Sequence, residues 1–192
     1  MSRRLYGGLL GMVFAVNFGR VAFAPLVEPL QAAFDVGPAA VGAVVSLVWF
    51  GTALPRLPLS YVLTRVSRRR VVVVSGLLLT GAAALTASAP TVRTLQVGVF
   101  AVGVASGTYF VSAVPLIGEL YPDRVGRRIG IHGTASQLAA VAAPTVVVSV
   151  VAVTTWRAVF WLLSATALLT TVAFAVGLRR TDAVRESPPA RN

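Results

Sequence analysis

The chain has 192 residues, 56% of them hydrophobic and only 12% charged, with a mean hydropathy of +0.81, whereas a soluble domain is about 25% charged, so composition alone places it in a membrane. Its formal charge of +11 arises from 17 basic residues, all arginine, against 6 acidic ones. Cysteine is absent and His132 is the single histidine, which excludes disulfides, thiolate chemistry and a Cys- or His-built metal centre; no metal or other cofactor is expected.

A bilayer core about 30 Å thick takes roughly 20 apolar residues of helix per crossing. Six windows meet that requirement: residues 5–29, 41–63, 71–89, 95–118, 129–153 and 158–178. Runs such as VVVVSGLLLTGAAAL do not alternate apolar with polar, which excludes the strands of a β-barrel. The reading is an all-α membrane protein of six transmembrane helices.

The first window opens behind Arg3 and Arg4, as a signal peptide does. It runs too long for one and lacks a small-residue cleavage site before a polar domain, so it is read as a helix that stays. Within it stand Asn17, Arg20 and Glu28. Asn17 and Arg20 are three residues apart and share a helix face; with Val13, Ala24 and Glu28 they form a stripe at helical spacing. An arginine at mid-bilayer costs about 2.5–3.5 kcal/mol on insertion scales, so it faces a protein interior or an aqueous cavity. Two roles stay open here: contact with an anionic group of a substrate, with Asn17 as hydrogen-bonding neighbour, or a structural pairing with a carbonyl or with Glu28.

The second window holds Arg56 in LPRLPLS, near its inner end. A long side chain there snorkels to the interface, and Pro55 and Pro58 free carbonyls for it to meet. The fourth window reads GVASGTYFVS. Gly103 and Gly107 have the spacing that lets two helices approach closely, while Tyr109 and Ser112, three residues apart, are expected to line a cavity. The fifth opens with His132 and Gln137, and a lone histidine there is read as a satisfied interfacial residue. Ser106 and His132 do not make a hydrolase: the glycine two before the serine is missing and the histidine is expected far from mid-membrane. No phosphate-binding glycine loop occurs, which excludes an ATP-driven mechanism within the chain; no enzyme is expected.

The arginines fall in alternate connections: Arg3 and Arg4; Arg65, Arg68, Arg69 and Arg70; Arg124, Arg127 and Arg128; then Arg179, Arg180, Arg185 and Arg191. The intervening connections hold only Arg93 and Arg157. This is the positive-inside pattern, and it places both termini in the cytoplasm; charge so distributed argues against a nucleic-acid partner. After the sixth window RRTDAVRESPPARN reads as a disordered cytoplasmic tail, residues 179–192, behind one six-helix domain of residues 1–178. APLVEPL at 24–30 also echoes VPLIGEL at 114–120. With three helices between the copies, they enter the membrane from opposite sides, as in a three-plus-three inverted repeat.

In order along the chain, LPLSYVLTRVSRRR, YPDRVGRRIGI and TTWRAVFWL resemble the corresponding segments of the N-terminal six-helix half of a major facilitator superfamily transporter. In the loop between the second and third helices, Arg65, Arg68, Arg69 and Arg70 match the family's basic gating positions. Ser60, Thr64 and Ser67 stand where a glycine, an aspartate and a second glycine would be, so a gate held by that aspartate is missing here. Ala143 and Pro144 stand where antiporter members carry a Gly-Pro pair. The resemblance implies secondary active transport of a small solute by alternating access, with Asn17 and Arg20 facing a central cavity and Glu28 as the candidate for ion coupling, in the cell membrane. It also implies a second six-helix bundle, supplied by homodimerisation or by a separately encoded C-terminal half. A membrane partner or transporter remnant that moves nothing itself is the competing expectation.

Overall fold

The computed structural model of the protein describes residues 3–186, with side chains described over 5–179. In chain order the helices are α1 (Arg3–Val21), α2 (Val27–Phe34), α3 (Pro38–Ala53), α4 (Arg56–Val62), α5 (Arg68–Ala87), α6 (Val92–Leu120), α7 (Val125–Val153) and α8 (Trp156–Glu186), with 3-10 turns at Ala24–Leu26 and Pro122–Arg124. Among the described residues there is no strand. Five helical segments are long and apolar enough to cross a membrane, α3 and α4 counting as one, and a sixth is gained if α1 and the segment after it form one bent span.

That bend corrects the expected continuous first helix. The segments Leu5–Val21 and Ala24–Phe34 meet at 41°. Pro25 is the local cause: it has no N–H to offer the carbonyl of Val21, its ring crowds that carbonyl, and it disfavours helical geometry at Ala24. The expected stripe through Val13, Asn17, Arg20, Ala24 and Glu28 is therefore cut in two, and Glu28 starts a new helix. α2 stops at Asp35, which takes the left-handed conformation (φ 50°) and returns its N–H to the Gln31 carbonyl. Aspartate tolerates that conformation better than most residues with a Cβ. At the other end of the chain, α8 runs on through residues 179–186, where a disordered tail is expected from the sequence; residues 187–192 lie outside the described residues.

α6 is the most buried span and α7 the least. α6 packs against α3 and α5, α1 packs against α7 and α8, and α5 and α8 pack on each other, with a smaller contact between α1 and α6. Exchanging the first three spans for the last three leaves this pattern unchanged. The α1 to α7 contact maps onto α6 to α3, α1 to α8 maps onto α6 to α5, and the other two map onto themselves. That is the pairing an inverted repeat of three plus three helices requires.

Where α3 meets α6, glycine brings backbone onto backbone. A Cβ on Gly103 would lie 2.3 Å from the Val48 oxygen, one on Gly107 2.3 Å from the Thr52 oxygen, and one on Gly51 2.4 Å from the Phe100 oxygen. The close packing expected of Gly103 and Gly107 is present, and Gly51 completes it from the facing helix. Polar clasps tie the other contacts, as membrane helices with no hydrophobic drive between them need. Ser164 donates to the Thr80 carbonyl between α8 and α5 at 2.9 Å, and Arg157 donates to the Ala87 and Ala89 carbonyls at 3.0 and 2.8 Å, capping the end of α5.

Candidate functional site

α1 and α3 flank α6, and each packs on it more than on the other. Arg20, in the last turn of α1, reaches over α6 to α3, and the surface it spans between the two helices is termed the cleft. Its guanidinium carbon is 4.4 Å from the ring centre of Trp49 on α3 and 5.2 Å from that of Phe110 on α6. Both distances suit a cation held by ring faces. One guanidinium nitrogen, Nη1, donates to Asn17 Oδ1 at 3.4 Å, a long bond, while the buried Nε has no partner.

Asn17 is oriented by α7. Its Nδ2 donates to the Ser136 carbonyl at 2.6 Å, within the bundle, which leaves its oxygen to face the cation. A guanidinium has five N–H groups, and no carboxylate pairs with Arg20 among the described residues, where the ion pair is Arg68 with Glu119. A second cation, Arg56 on α4, adds its field to that of Arg20. The cleft is thus a place where positive charge, hydrogen-bond donors and aromatic faces converge without a counter-ion among the described residues.

Of the residues expected at a site, Asn17 and Arg20 are brought together as their spacing requires. Glu28 is exposed on the far side of the bend and does not pair with Arg20. Tyr109 and Ser112 do not line the cleft, which corrects that expectation: both are wholly buried. The Tyr109 hydroxyl donates to the Leu9 carbonyl at 2.8 Å and lies 3.0 Å from His132 Nε2. With its one proton spent on Leu9, the phenol oxygen accepts from His132, so Nε2 carries the imidazole proton. The Ser112 hydroxyl turns back to the Thr108 and Tyr109 carbonyls of its own helix. His132 is likewise a core residue and not an interfacial one; its ring stacks on Tyr109 with centres 5.9 Å apart.

The arginine-rich end holds the expected loop residues. Arg65 lies over the Tyr61 ring at 5.3 Å. Arg68 pairs with Glu119, joining the start of α5 to the last turn of α6. Arg69 and Arg70, with Ser67 and Arg179, line a groove between α5 and α8. Beside it, Tyr6 donates to the Arg128 carbonyl at 2.6 Å, and the Arg128 guanidinium lies over both Tyr6 and Tyr121, at 4.4 and 4.7 Å. Burial there pushes the Tyr121 phenol above its usual range, against the pull of the Arg128 cation.

Sequence reasoning missed Trp49, Phe110 and Ser136, and assigned Arg56 only to the interface. A faint signal existed: Trp49 and Arg56 are seven residues apart, two helical turns along one face.

A family model described as the Major Facilitator Superfamily matches residues 9–192. None of the curated proteins matches significantly. Among similar solved structures are two of a mutant peptide transporter, POT, one in complex with sulfate and one with alafosfalin. They are 19% and 18% identical to this chain, with a TM-score of 0.78 in each case, and the match covers 89% of this chain and 37% of theirs. Identity at that level shows a shared fold. The chain spans well under half the length of those transporters.

Proposed function

As the chain belongs to the major facilitator superfamily, we propose that it forms one six-helix half of a secondary active transporter that moves a small anionic solute by alternating access. The observation that carries this reading is Arg20. It faces a cleft, is steadied by Trp49, Phe110 and Asn17, and has no carboxylate partner among the described residues. An uncompensated arginine at membrane depth is expensive and is retained where an anion or water meets it. The second bundle is supplied by another copy or by a separate half, related by a twofold axis along the membrane normal. The arginine-rich end, with the Arg68 to Glu119 pair, faces the cytoplasm of a cell whose surface membrane holds the protein. Arg65, Arg69 and Arg70 belong to the gate, and Glu28, exposed beyond the bend, is the candidate for ion coupling. Tyr109 and Ser112 support the helices around the cleft instead of touching the solute.

The test is uptake of labelled anions into proteoliposomes containing the full chain, alone and with coexpressed candidate halves, alongside native mass spectrometry in nanodiscs. Uptake above empty vesicles, lost in Arg20→Ala at unchanged thermal stability, is the expected result. An Arg20→Ala protein that transports normally would refute the role of Arg20. Absence of uptake in every combination would favour a membrane partner that transports nothing.

A further inference from the structure

We infer that the cleft between α1 and the span of α3 and α4 selects small solutes bearing two negative charges on oxygen, with Arg56 supplying the second positive charge along the wall from Arg20. The inference rests on the reading of Arg20 as an anion contact and goes on to name the class of anion and a residue to which no role is otherwise assigned.

Arg56 follows Trp49 by two helical turns. Leu54 and Pro55, at the break between α3 and α4, both keep right-handed helical geometry (φ −54°, ψ −45° and φ −70°, ψ −14°), so the two residues stay on one face. Both are exposed. Trp49 touches Arg20, which places Arg56 about 10 Å further along the same wall. In a helix the Cα–Cβ bonds tilt toward the N-terminus. α1 and the α3 to α4 span run in opposite directions, so the Arg20 and Arg56 side chains lean toward one another along the cleft, and the charge of Arg56 acts on Arg20.

No acid sits between them. The acidic residues with described side chains are Glu28 beyond the bend, Asp35 at the end of α2, Asp123 in the turn after α6, and Glu119, which is paired with Arg68. The Arg56 side chain makes no hydrogen bond or ion pair among the described residues. Two cations leaning toward one another repel, and a single negative charge neutralises only one. A doubly charged oxyanion neutralises both.

The aromatic rings narrow the chemistry further. With Trp49 and Phe110 against the guanidinium of Arg20, a ligand approaches its N–H edge. That edge recognises oxygens in a plane, as in phosphate, sulfate or carboxylate. Whether the two charges share one head group, or sit at two ends of a short dicarboxylate, is decided by the choice of probe.

The experiment uses the full chain in nanodiscs of phosphatidylcholine, which carries no net charge to compete. In a Trp156→Phe, Trp161→Phe background, fluorescence reports on Trp49 as sulfate, succinate or acetate is titrated. Sulfate or succinate should bind at least about tenfold more tightly than acetate. Arg56→Gln should reduce that preference to within about threefold while leaving acetate binding in place, and Arg56→Lys should keep it. Arg20→Gln should abolish binding of all three probes. An Arg56→Gln protein that still prefers the dianion overturns the inference and leaves Arg20 as an anion contact. An Arg20→Gln protein that binds acetate normally, or a parent protein that binds no probe, overturns both.

Discussion

Gly103→Ala tests how the contact between α3 and α6 sets the cleft. The new Cβ would stand 2.3 Å from the Val48 oxygen and 3.1 Å from the Gly51 Cα. Both obstacles are backbone, so no rotamer change relieves them, and α3 must retreat by about 1 Å to reach ordinary contact. Overpacking of this kind costs about 1–3 kcal/mol, and contact with main chain on the facing helix puts it in the upper part of that range. The better helix propensity of alanine returns at most about 1 kcal/mol. The net loss is about 1–2 kcal/mol, or about 2–8 °C of melting temperature at about 2–4 °C per kcal/mol. Gly118→Ala is the matched control on the same helix: nothing lies within 4 Å of its added carbon, so it should melt at or slightly above the parent. Melting followed by circular dichroism in one detergent compares the two. Because Val48 and Gly51 flank Trp49, the retreat of α3 also draws Trp49 away from Arg20, and anion binding read at Trp49 should weaken together with stability. A Gly103→Ala protein that melts no lower than Gly118→Ala would refute the reasoning, since the backbone contact would then be looser than its geometry states.

Two further substitutions probe the frame around the cleft. Tyr109→Phe removes the hydroxyl shared by the Leu9 carbonyl and His132; it leaves buried polar atoms unpaired and should lower stability by about 1–3 kcal/mol. His132→Ala made on that background should cost clearly less than on the parent, and additive losses in the double-mutant cycle would rule out the pair. Arg157→Ala frees the Ala87 and Ala89 carbonyls at the end of α5 and should destabilise by about 1–2 kcal/mol, with Arg157→Lys in between; equal melting of all three proteins would contradict the cap.

The bilayer makes some properties of this chain readable without a structure. A span must be long, apolar and internally hydrogen-bonded, so six windows, their order and the alternation of arginine follow from the residues one by one. Arg20 stood out for the same reason, because its depth carries a cost whatever surrounds it. Asn17 followed from spacing alone, and Gly103 and Gly107 from the need of membrane helices for close approach.

What sequence left open are choices that depend on partners distant in the chain. Pro25 coincides with a 41° bend, yet Pro115 and Pro144 lie inside the continuous helices α6 and α7. Each proline removes the same hydrogen bond; whether the axis turns depends on what packs around it. Tyr109 reads as a cavity residue until α1 and α7 arrive to take both ends of its hydroxyl. Arg56 looks like an interfacial arginine until Arg20 of α1 comes to lie against Trp49, two turns away on the same face. A polar side chain in a membrane announces that it needs a partner, because hydrocarbon offers none. Which partner it finds is decided only when helices far apart in sequence come together, and it is that assembly which turns one costly arginine into a cleft with two positive charges.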